Sequence, residues 1–254
     1  STDSGIPGYR GEGSTPRSPM TISQFLTDER YRQRYWAGNQ LGWARFGSAT
    51  PNDGHRSLAA LEHAGVVAGV MTQNVDGLHQ RAGSAKVVEL HGSTDRVRCL
   101  ACGQLYSRAA IAESISRHNP WLLELDDSAL GPDGDVAVAG LDDLVIPDCG
   151  VCGGILRPDI VYFGEFIPPA KSAQARGMIT SADALLIVGS SLVVNSGIRL
   201  LDYAVRRGQP VVIINRGETR GDARATVKID AGASSTLAAL ATQLMPERRK
   251  DAAQ

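Results

Sequence analysis

Long hydrophobic runs are missing from this sequence of 254 residues. Its longest apolar stretches, such as Ala184–Val188 and Val211–Ile214, fall far short of the roughly 20 residues that a membrane-spanning helix needs. A chain built of such helices is excluded, and no membrane partner is expected. An excess of charge of one sign is also missing: 26 basic residues face 27 acidic ones, for a net charge of -1. That balance gives no overall field for wrapping a nucleic acid, so direct nucleic-acid binding is not expected. Neither a GxGxxG turn nor a P-loop occurs, which removes the ordinary dehydrogenase and NTPase readings. Lysine is scarce, with only four (Lys86, Lys171, Lys228 and Lys250) against many arginines. That bias suits a GC-rich genome, hence a bacterial source and a cytoplasmic location. With 43% hydrophobic and 21% charged residues, the chain can bury a core, and disordered or collagen-like classes fail.

Cysteine is scarce too, and its placement is informative. Cys99, Cys102, Cys149 and Cys152 form two CxxC pairs separated by 46 residues. A disulfide scaffold is short and cysteine-dense, and this chain is neither. Two such knuckles bring four thiolates to the corners of a tetrahedron, the geometry of one structural zinc ion. Glycines at Cys102-Gly103 and Cys152-Gly153-Gly154 suit the tight backbone turn around a metal. Two disulfides or a redox pair remain as alternatives, but neither needs a matched second pair. A closed four-thiolate site has no open position, so it holds structure and does no chemistry.

Along the chain, residues 1–19 read as a Gly-, Pro- and Ser-rich loop and 24–46 as a small helical module. A helix capped at Asn52 or Asp53 is expected to run to about His63. An apolar run at 66–71, a short helical stretch at 75–81 and a strand at 87–90 follow. A zinc module with a long polar insert is expected at 93–160. Helices near 170–180, 197–207 and 235–244 then alternate with strands at 184–188 and 211–214, and a polar, frayed tail starts at Pro246. Short β-branched strands alternating with helices indicate an α/β fold: a Rossmann-like parallel sheet with helices on both faces, plus the inserted zinc and helical module. Ligands of such sheets bind beyond the carboxyl ends of the strands. The polar residues at those ends are Gln73-Asn74-Val75-Asp76, His91-Gly92, Gly189-Ser190-Ser191 and Asn215-Arg216-Gly217.

Each piece has a bland alternative. Gly189-Ser190-Ser191 is a strand-to-helix turn or a set of amides facing a phosphate. Asn215 is a turn former or a ribose contact. Asn74 and Asp76 are turn residues, or an amide and a carboxylate placed for a sugar and a carboxamide. His91 is structural, as a lone histidine often is, or a general base near neutral pH.

The ordered set resembles the sirtuin family of NAD-dependent protein deacylases over almost the whole chain. The resemblance rests on Ser4-Gly5-Ile6-Pro7 with Tyr9-Arg10-Gly11, Thr72-Gln73-Asn74-Val75-Asp76-Gly77-Leu78-His79, and Glu89-Leu90-His91-Gly92. The cysteine quartet, Pro158-Asp159-Ile160-Val161-Tyr162-Phe163-Gly164-Glu165 and Gly189-Ser190-Ser191-Leu192 complete it. Arg34-Tyr35-Trp36-Ala37, Asn119-Pro120-Trp121 and Gly131-Pro132-Asp133-Gly134-Asp135-Val136 look like the class II branch, which contains the fourth human sirtuin and many actinobacterial relatives.

The resemblance implies an acyl-lysine carbonyl attacking the ribose carbon that bears nicotinamide, with nicotinamide, free lysine and O-acyl-ADP-ribose as products. His91, Asn74 and Asp76 are the implied catalytic residues: His91 takes a proton from the ribose hydroxyls, Asn74 holds the ribose, and Asp76 accepts from the carboxamide. Cofactor binding is implied for Ser1, Ile6, Pro7, Tyr9, Arg10, Gln73, Asn74, Val75, Asp76, Gly189, Ser190, Ser191, Asn215, Arg216, Gly217 and Ala233. The resemblance also implies that the loop of Ile6, Pro7, Tyr9 and Arg10 would shelter the reactive carbon from water. Val161, Phe163, Gly164, Glu165 and Leu192 are implied to pair with the backbone of acyl-lysine proteins or peptides. Residues 1–20, 47–92 and 161–245 then form the NAD-binding domain, 21–46 a helical module, 93–160 the zinc module and 246–254 a tail.

Two departures stand out. The apolar strand and Gly-Ala-Gly turn that open family members are absent before Ser1, so a fragment with a gap in its sheet is expected, and a targeting segment upstream stays open. The Tyr-x-x-Arg pair that binds acidic acyl groups becomes Tyr35-x-x-Gly38. Neutral acyl groups are therefore expected, unless Arg32, Arg34 or Arg45 supplies the cation. Protein mono-ADP-ribosyltransfer is the alternative enzyme reading, and an NAD- or zinc-dependent binding protein the non-enzyme one.

Overall fold

A computed structural model describes residues 2–6, 19–124 and 141–245. The expected tail and the Gly131–Val136 motif lie outside the described residues. In chain order the first elements are α1 (Ile22–Thr27), α2 (Glu29–Ser48), α3 (Asp53–His63), β1 (Val70–Thr72), α4 (Leu78–Arg81) and β2 (Val87–Glu89). Then come β3 (Gly92–Cys99), β4 (Leu105–Ser107), α5 (Arg108–His118) and β5 (Leu156–Ile160). The last are α6 (Pro169–Thr180), β6 (Leu185–Val188), α7 (Asn195–Arg206), β7 (Val211–Ile214), β8 (Val227–Ile229) and α8 (Ala233–Leu244). They fall into two compact units, one of residues 1–50, 74–77 and 91–166, the other of 51–73, 78–90 and 167–254.

In the first unit Thr21 opens α1 with a capping box, its hydroxyl accepting from Gln24 N while Gln24 Oε1 accepts from Thr21 N. That reciprocal pair satisfies two amides a helix start leaves open. β3 is the middle strand of an antiparallel sheet ordered β4-β3-β5. Between the cysteine pairs the chain is less polar than expected. α5 buries Ile111 and Ile115 against Val97, Leu156 and Trp36, because residues four apart share a helix face. The helical module and the zinc module thus share one core.

Arg108 is fully buried in this unit, 1% exposed. Its guanidinium lies between the rings of Trp36 and Trp43, 5.4 and 5.0 Å from their centroids, and donates to Asn39 Oδ1 and Gln40 Oε1 at 2.8 and 3.0 Å. Burial pushes its pKa down to about 10, so it stays charged at neutral pH.

In the second unit Asn52 is the cap of α3, with Oδ1 accepting from His55 N at 3.2 Å. β1 and β2 pair in parallel, and β6, β7 and β8 form a second parallel sheet. The α/β class holds, but the parallel strands make two sheets instead of one, with no strand hydrogen-bonded between them among the described residues. Met71 and Leu200 pack against the cores of both, so the sheets share side-chain contacts without sharing a ladder. α7 buries Ile198, Leu201 and Ala204, the stripe of an amphipathic helix. β8 escaped the sequence reading because Lys228 interrupts its two apolar residues. No helix among the described residues is long and apolar enough to cross a membrane.

Candidate functional site

The zinc knuckles follow from the turns of β3 and β5. Cys99 ends β3, and its carbonyl accepts from Gly103 N as that of Cys149 does from Gly153 N. The four sulfur atoms lie within 4.8 Å of one another, with Cys99–Cys152 at 3.5 Å and Cys102–Cys149 at 3.7 Å. Four thiolates about 2.3 Å from one ion stand about 3.8 Å apart at the corners of a tetrahedron. The quartet is positioned to bind one structural zinc. Tyr106 lies 3.1 Å from the Cys149 sulfur, and its hydroxyl hydrogen bond is the main cause that draws the Cys149 thiol down to about 6. The Cys102 contact pushes Cys152 up to about 12.

The first unit mounts three candidate segments on β3. His91 directly precedes the strand, and its carbonyl accepts from Val161 N at 2.9 Å. At Gly92 a Cβ would fall 1.9 Å from the Asp159 carbonyl oxygen, and φ is +81°, so only glycine permits this crossing. Val75 O, between Asn74 and Asp76, accepts from Thr94. Asp76 is buried and Asn74 exposed.

Within the segment expected to pair with substrate, Phe163 O already accepts from Ile22 N at 3.0 Å. The Glu165 carboxylate binds the Arg157 guanidinium through both oxygens and accepts from Tyr162 N at 2.7 Å. Glu165 therefore shapes the turn around Gly164 from inside. Tyr162 is packed against Phe25 and Tyr35, with ring centroids 5.1 and 5.4 Å away, and burial raises its hydroxyl well above its ordinary pKa.

The second unit gathers the other candidates. Gln73 donates to Ser196 Oγ at 2.6 Å and accepts from Ser190 Oγ at 3.3 Å, which ties the end of β1 to the start of α7. Gly189 N donates to Ile214 O, and a Cβ there would lie 3.8 Å from that of Ala233. Asn215 Nδ2 donates to Arg216 O, Gly217 N donates to Asp230 Oδ1, and Lys228 Nζ donates to Gly217 O. Arg216 reaches over Gly232 at the start of α8, with Nη2 2.8 Å from where a Cβ would stand. The ends of β6 and β7 thus meet the amino end of α8, which has no side-chain cap and suits an anion. Ser191 follows on the same turn. Leu192 has φ +57° and a buried side chain.

Ile6 is described and half-buried, while Ser1, Pro7, Tyr9 and Arg10 lie outside the described residues. Sequence reasoning missed Thr94, Arg157, Lys228 and Asp230. Arg157 directly precedes the Pro158–Glu165 motif, and its charge is the available signal, whereas Asp230 stands 13 residues from Gly217 and adjoins no motif.

Helix-flanked parallel sheets, polar loops at the strand ends and a four-thiolate knuckle pair define an α/β protein with a zinc ribbon. A profile of the Sir2 family matches residues 1–196. A Mycobacterium avium protein named NAD-dependent protein deacetylase 1 is 53% identical over 250 residues, which cover 97% of this chain and 89% of that one. A Streptomyces coelicolor protein of the same name is 46% identical, covering 96% and 83%. Among solved structures, a Sir2–p53 peptide–NAD+ complex has a TM-score of 0.74 at 33% identity, covering 97% of this chain and 88% of that one. A Sir2 bound to acetylated peptide has a TM-score of 0.71 at 31% identity, covering the same shares. The chain belongs to the Sir2 family, the sirtuins.

Proposed function

We propose that the chain removes acetyl and other neutral acyl groups from protein lysines, consuming NAD and giving nicotinamide and O-acyl-ADP-ribose. The observation that carries this reading is the mounting of His91, the Asn74–Asp76 loop and Val161 on a single strand, in a chain similar throughout to named deacetylases. NAD supplies the ADP-ribosyl acceptor for the acyl group and nicotinamide as leaving group. Asp76, buried beside Val75, accepts from the carboxamide. Asn74 orients the ribose, and the His91 imidazole takes a ribose hydroxyl proton near neutral pH. Gly189, Ser190 and Ser191 with the start of α8 offer amides to the phosphates, and Asn215 and Arg216 flank the adenosine. Backbone pairing along residues 161–165 and from Leu192 holds the peptide.

Two observations support a neutral acyl group: Gly38 carries no cation, and Arg32 is engaged with Phe25 O at 3.2 Å. The Asn119-Pro120-Trp121 and Arg34–Ala37 motifs support the class II branch, and bacterial relatives support a bacterial cytoplasmic location. Nicotinamide release from NAD with acetyl- and succinyl-lysine versions of one peptide tests the reading. Acetyl should be preferred. A succinyl preference above about tenfold, roughly 1.4 kcal/mol in the barrier, would overturn the acyl assignment, and release independent of any acyl peptide would overturn the deacylase.

A further inference from the structure

We propose that Thr94 is a positioning residue for the Asn74–Asp76 loop, acting through the Val75 carbonyl. This rests on the deacylase reading for what the loop contacts. Val75 O receives two hydrogen bonds, and Thr94 supplies both: its backbone N–H at 2.9 Å and its hydroxyl at 2.9 Å. A carbonyl has two lone pairs, and here one residue occupies both. The N–H is available because the β3–β5 register shifts between Ser93 and Val97. Such an irregularity releases backbone groups from the ladder and re-aims them. The far end of the loop is closed as well. Gly77 has φ +67°, and a Cβ there would stand 2.9 Å from Asp95 Oδ2. Asp95 N in turn donates to the hydroxyl of Ser93, which is 1% exposed.

The Val75 carbonyl belongs to the peptide that joins Val75 to Asp76, so holding its plane fixes the torsion that aims the Asp76 side chain and anchors the residue that follows Asn74. The strand that fixes it begins at the residue after His91, whose carbonyl holds Val161. Thr94 thereby sets the loop's amide and carboxylate relative to the base. A threonine kept only for its β-branched shape would lose nothing on replacement by valine. A clamp loses its hydroxyl bond.

The test compares wild type, Thr94→Val and Thr94→Ser in the full chain. In steady-state kinetics Thr94→Val should raise the KM for NAD about tenfold, the scale of one hydrogen bond, with the KM for an acetyl-lysine peptide within about twofold. Thr94→Ser, which keeps the hydroxyl, should restore NAD to within about twofold. In hydrogen exchange, Thr94→Val should accelerate the amides of Asn74–Gly77 about tenfold and leave those of the zinc module unchanged. Wild-type NAD kinetics together with wild-type exchange in Thr94→Val overturn the proposal. So does an equal rise in both KM values, or a Thr94→Ser variant that fails to recover. An inactive wild type would sink the deacylase reading instead, and the exchange comparison would still decide the clamp.

Discussion

Arg157 meets Glu165 at two points, Nη1 to Oε1 at 2.7 Å and Nη2 to Oε2 at 2.6 Å. The guanidinium also donates to Ile160 O and stacks over Tyr162 at 4.9 Å. Burial alone would lower the pKa of Arg157, but Glu165 outweighs it and the net shift is upward. Two-point pairing of this kind is strong and directional, and here it closes the turn that carries Val161 to Gly164.

Glu165→Gln keeps the shape and removes the charge. It should raise the KM for peptide about three- to tenfold, leave the KM for NAD unchanged and cost about 1–3 kcal/mol of stability. Kinetics against both substrates and a denaturant titration check it. An unchanged peptide KM would show that the pair does not shape the peptide-pairing turn.

Gly92→Ala should abolish folding, since its Cβ has no place beside the Asp159 carbonyl. Gly177→Ala is the control: the residue lies in α6 with nothing within 4 Å of its Cβ position, and alanine there should stabilise by up to about 1 kcal/mol. Comparing soluble yield and melting temperature separates steric exclusion from a general dislike of substitution.

Asp159 makes acid stability a readout of the first unit. Burial pushes its carboxyl up, but Arg98 and Arg96, at 3.0 and 3.1 Å, outweigh that and hold it below its ordinary value. The unfolded chain then takes up the proton first. The stabilisation is complete above the unfolded pKa of about 4 and is lost as pH falls through the native one. Asp159→Asn should flatten this loss between about pH 5 and 2, measurable by denaturant titration across that range.

Zinc affinity should depend on pH and on Tyr106. With Cys149 drawn to about 6 and Cys152 pushed to about 12, the metal-free quartet keeps some protons near neutrality, and zinc must displace them. Affinity should therefore rise with pH. Tyr106→Phe removes the donor beside Cys149, so it should weaken zinc more at pH 6.5 than at pH 9. Competition with a chelator at both values checks this, and Cys149→Ser should lose stoichiometric metal.

The four cysteines were legible because ligand spacing is local: two residues between thiols dictate a knuckle wherever it sits. Asn52 and the stripe of α7 were legible for the same reason. β8 was not, because three residues with a lysine at the centre carry no period and gain strand geometry only beside β7. The core role of α5 was hidden by the polar residues between Ile111 and Ile115. Glu165 stands in a motif visible in the sequence, while the partner of its carboxylate, Arg157, becomes adjacent only when β5 turns back. Thr94 gave no signal, since its role depends on a register shift that pattern alone does not reveal.

The most direct measurement is a mass balance. The chain is incubated with NAD and an acetyl-lysine peptide, and nicotinamide, free-lysine peptide and O-acetyl-ADP-ribose are quantified for wild type and His91→Ala. Equal amounts of the three products are expected from wild type, with their rate reduced at least about a hundredfold in the variant. ADP-ribose attached to protein without loss of acetyl, or a His91→Ala rate equal to wild type, would contradict the account.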